Sequence, residues 1–167
     1  MKQRDAVVMS DAEVDDFLTR QRSATLATVG PQGRIHLVAM WYAWIDGQVF
    51  LETKGKSQKV ANLRRDERMS LLVEAGHSYD RLRGVAIEGR GVVIDDDPDL
   101  LWRVCVSVFE RYMGEYSEEM RPLVEEMARN RSVVRLDVDR VRSWDHRKLG
   151  LPSMEVAGST AASVTEA

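Results

Sequence analysis

The chain has 167 residues, 44% of them apolar, and a formal net charge of −3. That length and composition suit one domain around one core, and the mild acidity excludes a general nucleic-acid binder, which needs a basic face. A single cysteine, Cys105, excludes an intrachain disulfide framework and a Cys-rich zinc motif. No apolar run approaches the ~20 residues of a membrane span, and the first residues carry no apolar stretch of the signal-peptide kind, so the expected setting is cytoplasmic with no membrane partner.

In chain order, "SDAEVDDFLTRQ" opens with Ser10 three residues before Glu13, a capping box, and sets Val14, Phe17 and Leu18 on one helical face. Then come three β-rich runs, "SATLATVG", "GRIHLVAMWYAWI" and "QVFLETK", divided by "GPQG" and by Asp46-Gly47, a strong two-residue hairpin signal. A short helix follows from Ser57, then strands "RMSLLVEA" and "GVAIEGRGVVI". A long helix starts at Asp97 as N-cap with Pro98 in its first position, ends near Gly114, and gives way to a second helical segment from about Ser117. "SVVRLDVDRVRSW" is the sixth strand. The predicted fold is mainly β with flanking helices, a six-stranded antiparallel barrel spanning residues 1–150, and residues 151–167 read as a disordered tail.

The second strand breaks the usual rule of one wet face. Ile35, Leu37, Ala39, Trp41, Ala43 and Ile45 lie on one side, and Val38, Met40, Tyr42 and Trp44 on the other. Both sides are apolar, so each needs cover: the core on one, and a partner chain, a flat ligand or a helix on the other.

A local basic cluster, "ETKGKSQKVANLRRDER", stands out against the net negative charge. Ser57 suits a helix N-cap, whose backbone N–H groups favour an anion, and Lys54, Lys56, Lys59 and Thr53 around the same turn make a phosphate cradle. Arg64 and Arg65 are expected to face solvent.

The segment "FLETKGKSQKVANL", with Thr53, Ser57 and Lys59 at T-x-x-x-S-x-K spacing, resembles the flavin-phosphate segment of the pyridoxamine 5'-phosphate oxidase-like split β-barrel superfamily. "LATVGPQG", "MWYAWIDG", "SQKVANLRRD" and "SWDHRKL" make it similar to the deazaflavin-dependent branch in particular. The resemblance implies a homodimer with each cofactor in an interface groove. It implies that Val38, Ala39, Met40 and Trp41 line the ring, that Thr53, Lys54, Lys56, Ser57, Gln58 and Lys59 hold the anionic tail, and that Trp144 and Lys148 approach the groove. Several oxidase contacts are missing: His36 and Trp41 stand where the oxidases bracket this strand with arginine and lysine, Gln58 replaces an arginine, and Gly84 replaces a glutamine. This departure turns the expectation from pyridoxamine phosphate oxidation toward coenzyme F420, with FMN as the alternative cofactor.

The expected activity is an F420H2-dependent reduction of an electron-poor small molecule. The alternatives are an FMN-dependent oxidoreductase and a non-catalytic flavin, deazaflavin or haem-binding protein. Tyr42 and His146 are candidate proton donors, though a plain structural corner is the stronger reading of His146. His36 reads as a satisfied histidine of a strand, His77 as surface, and Trp102, Val106, Phe109 and Met113 as helix core. No three residues have the spacing of a zinc site or a hydrolytic triad, so no metal is expected.

Overall fold

A computed structural model describes residues 3–158. Two helices precede the strands: α1 (Gln3–Ala6) and α2 (Asp11–Arg20). The chain continues through β1 (Ser23–Val29), β2 (Ile35–Trp41), β3 (Ala43–Ile45), β4 (Gln48–Lys54), α3 (Gln58–Arg65), β5 (Arg68–Ala75) and β6 (Arg83–Ile94). It closes with α4 (Pro98–Tyr112), α5 (Arg121–Ala128) and β7 (Arg131–Asp145). The tail expected to be disordered falls mostly outside the described residues, from 159 onward.

Seven strands, not the expected six, make one sheet in the order β2-β1-β5-β6-β7-β4-β3. The extra strand comes from the run read as continuous. Residues 35–41 pair antiparallel with β1, from Val29↔Ile35 to Ser23↔Trp41, whereas residues 43–45 pair with β4, from Ala43↔Phe50 to Ile45↔Gln48. Tyr42 alone lies between them. Side-chain chemistry is continuous across this point, so only the change of hydrogen-bond partner shows the break. Because one residue links the strands at the two ends of the order, the antiparallel sheet curls into a half-barrel.

The described residues divide into two compact units, one of residues 3–21, 73–86 and 142–158, the other of residues 22–72 and 87–141. In the first, the Ser10 hydroxyl accepts from the Glu13 N–H and the Glu13 carboxylate accepts from the Ser10 N–H, completing the expected capping box. Phe17 and Leu18 are buried, and the Arg83 guanidinium lies 5.5 Å from the Phe17 ring centre. Gly84 is needed here because a Cβ would stand 2.2 Å from the Trp144 ring.

In the second unit, Asp46 and Gly47 take φ of 54° and 73°, the left-handed pair that a tight hairpin turn demands. α4 begins as expected, with the Asp97 carboxylate accepting from the Leu100 N–H. Its Val104 and Val108 pack with Ala43, Phe50 and Val133, and its Cys105 and Phe109 with Val124 of α5. Phe109 is core as expected, and Trp102 and Val106 are half-buried, but Met113 is 55% exposed. It sits past the last turn of α4, beyond the reach of the seam.

Candidate functional site: a groove at the start of α3

The groove belongs to the second unit and is built from one end of β4 and the turn into α3. Along β4, five consecutive residues from Val49 to Thr53 are buried, two of them polar, Glu52 and Thr53. A buried charge needs a partner, and register supplies it: Lys54↔Arg131 and Glu52↔Val133 bring the start of β7 alongside, and Arg131 pairs with Glu52. Burial raises the Glu52 pKa, an effect the Arg131 charge opposes.

Helix α3 is anchored by Val60 and Leu63 and by Asn62, which is wholly buried and donates to the Thr28 hydroxyl of β1 at 3.0 Å. That anchor aims the start of the helix. Ser57 is its N-cap, as expected, but its side chain makes no capping hydrogen bond. Its Oγ lies instead 3.4 Å from Thr53 Oγ1, and Lys59 Nζ donates to the same Thr53 Oγ1 at 3.0 Å. Burial lowers the Lys59 pKa, with the Glu52 carboxylate pulling the other way. The spaced residues of T-x-x-x-S-x-K therefore meet as one cluster of two hydroxyls and an ammonium.

These residues line a groove of about 510 Å³ together with Ala39, Met40 and Trp41 of β2, Lys54, Glu52, Arg131, Met113 and Met127. Trp41 is set in place by Tyr112, whose ring stacks on it with centres 4.0 Å apart. Of the other expected residues, Val38 is half-buried on β2 next to this lining, and Gln58 is exposed with its amide donating to Asn62 Oδ1 at 2.8 Å. Lys56 opens on a neighbouring cavity. Trp144 and Lys148 lie in the first unit, where Trp144 covers Gly84 and Lys148 Nζ donates to the Val8 carbonyl at 2.7 Å and to Glu13 at 2.6 Å.

The two candidate proton donors are both engaged. Tyr42 is fully buried with the Arg111 guanidinium 4.7 Å from its ring centre, and burial pushes its phenol up to about 12. His146 Nδ1 lies 2.8 Å from the Tyr79 carbonyl in the first unit. Arg64 and Arg65 are exposed as expected, though neither is idle: Arg64 pairs with Asp95 at 2.6 Å and Arg65 donates to Asn62 and to the Val29 carbonyl. Glu52, Arg131, Met113 and Met127 were missed from sequence. A charged residue inside the buried run "VFLET" was the one local signal of the first; the others reach the groove through strand register and helix packing.

Among the described residues, no group of three His, Cys, Asp or Glu side chains could hold a metal ion, and no helix is long and apolar enough to cross a membrane. A conserved hypothetical protein of Mycobacterium tuberculosis is 56% identical, with a TM-score of 0.91 over 96% of this chain and 100% of its own. An F420 reductase shares 22% identity and a TM-score of 0.59 over 76% of this chain and 94% of its own. HutZ, the haem storage protein of Vibrio cholerae, shares 14% identity and a TM-score of 0.63 over 81% and 96%. No curated protein matches. The family model for pyridoxamine 5'-phosphate oxidase matches residues 10–145, which takes in every strand and the whole groove, and the chain belongs to that family.

Proposed function

We propose that this protein is an F420H2-dependent reductase of electron-poor small organic molecules, working as a homodimer. The observation that carries the reading is the Thr53, Ser57 and Lys59 cluster at the start of α3, opening on the same groove as the β2 edge. An N-cap hydroxyl that does not cap, beside a partly buried ammonium and the N–H groups of a helix start, suits a phosphate. In this reading Ser57, Lys59 and Thr53 hold the phosphate of the coenzyme, Lys54 meets a carboxylate of its tail, and Ala39 to Trp41 lie against its ring. When bound, the reduced deazaflavin supplies a hydride.

The chain's own work is positioning. Trp41, held by Tyr112, gives the ring a rigid apolar wall, and Met40 and Met113 limit water. The buried state of Tyr42 favours solvent as the source of the second proton. The F420 reductase among the structural neighbours shares the fold.

The homodimer reading rests on β2, where Ile35 is 61% exposed, Leu37 63% and Trp41 43%, all on one face. Such an apolar strip at a sheet edge favours a second copy. Leu37→Glu is expected to give a particle of one chain's mass by light scattering where the parent gives two. The cofactor is tested by titrating the purified protein with F420 and with FMN under the same conditions and following fluorescence. Micromolar or tighter F420 with weaker FMN supports the proposal, and tight FMN without F420 replaces it with the flavin alternative.

A further inference from the structure

Beside the groove, in the same unit, lies a larger cavity of about 920 Å³ between the end of α4, α5 and the turn that follows β4. It shares Lys54, Met113, Met127 and Arg131 with the groove, so the same four side chains border both spaces. Its wall is apolar where α4 and α5 meet: Met113 and Leu123 are each 55% exposed, an unusual state for such side chains unless something covers them.

The charges around it do not cancel. Arg131 is paired with Glu52, Arg129 with Glu126 at 3.0 Å, and Asp95 with Arg64 at 2.6 Å. Lys54 and Lys56 make no ion pair among the described residues, which leaves two exposed ammonium groups beside an apolar wall. A polyanionic chain would gain nothing from the methionines and leucine, and a neutral hydrocarbon nothing from the lysines.

We propose that this cavity binds the molecule to be reduced, and that this molecule is an apolar compound with one anionic head group, its body on Met113, Leu123 and Met127 and its head at Lys56. The cavity is of the size that holds a drug-sized ligand. Its role as the acceptor site rests on the reductase reading, whereas its preference for an amphipathic anion does not.

The test therefore uses the full chain without coenzyme. The probe is 8-anilinonaphthalene-1-sulfonate, an aromatic body with a single sulfonate, followed by its fluorescence and then displaced by dodecanoate or by dodecanol. Saturable binding is expected, with dodecanoate displacing the probe at roughly tenfold lower concentration than dodecanol, the worth of one ionic contact. Lys56→Glu and Leu123→Glu, both at exposed positions, are each expected to raise the probe's Kd by about tenfold, with Arg65→Ala unchanged. No saturable binding, equal displacement by acid and alcohol, or indifference to both substitutions would overturn the proposal. A protein that passes here and fails to bind F420 keeps the amphiphile site and loses the reductase reading, so the two failures are told apart.

Discussion

Ser10 and Ser57 each stand one residue before a helix, with nearly the same backbone, φ and ψ of −69° and 166° against −75° and 156°. Their hydroxyls end differently. Ser10 is closed on its own helix by Glu13, and Glu13 is held in turn by Lys148, whose hydrogen bond keeps the Glu13 carboxyl below its usual range. Ser57 leaves α3 uncapped by its side chain and turns toward Thr53, where Lys59 also arrives. The difference lies three residues on: Glu13 reaches back to its cap, while Val60 at the matching place in α3 is buried and apolar. A helix start satisfied by its own side chains is structure; one that lacks that closure, with a cation beside it, is ready for an anion.

The sharpest way to break the contrast is Lys59→Ala. Losing a charge-assisted hydrogen bond is expected to weaken F420 binding roughly ten- to a hundredfold by fluorescence titration, with the melting temperature nearly unchanged. Next is pH. Burial favours the neutral amine of Lys59, so its proton leaves at lower pH than from an exposed lysine, and the positive charge proposed to hold the coenzyme's phosphate leaves with it. F420 affinity is therefore expected to fall as pH rises through the alkaline range below the ordinary lysine value, and Lys59→Arg, which keeps its charge, to hold affinity to higher pH.

The two serines should then part. Ser10→Ala removes a satisfied cap and is expected to cost about 1 kcal/mol, or about 2–4 °C in Tm by calorimetry, with F420 affinity unchanged. Ser57→Ala should do the reverse, leaving Tm in place and raising the Kd by a few-fold, the worth of one ordinary hydrogen bond of ~0.5–1.5 kcal/mol. Equal loss of stability in both variants would make Ser57 an ordinary cap. Arg65→Ala, whose partners are Asn62 and the Val29 carbonyl, is the smallest case and should leave binding unchanged.

How much of this was legible follows from distance along the chain. The Ser10 and Glu13 box, the Asp46-Gly47 turn and the Asp97-Pro98 helix start involve residues within three positions of each other, so residue type and spacing announce them. The cluster of two hydroxyls and an ammonium was legible for the same reason, since Thr53, Ser57 and Lys59 fall within seven residues across one turn. The break at Tyr42 was not, because an apolar run looks the same whether it keeps its hydrogen-bond partner or changes it. Met113 continues the helical spacing of Trp102, Val106 and Phe109, and that spacing cannot say where the helix's neighbour ends.

The amino-acid sequence by itself determined most of the elements, the caps at Ser10 and Asp97, the Asp46-Gly47 turn and the local cation and hydroxyl cluster, because these depend on contacts a few residues long. Tertiary structure alone decided that Arg131 answers Glu52, that Lys148 is held by Glu13, that Met113 and Leu123 face a cavity rather than a core, and that Met127 borders both. Each of those depends on register between strands or on where one helix stops against another. Such choices are made by the burial of charge and apolar surface over the whole chain, which no short window of residues contains.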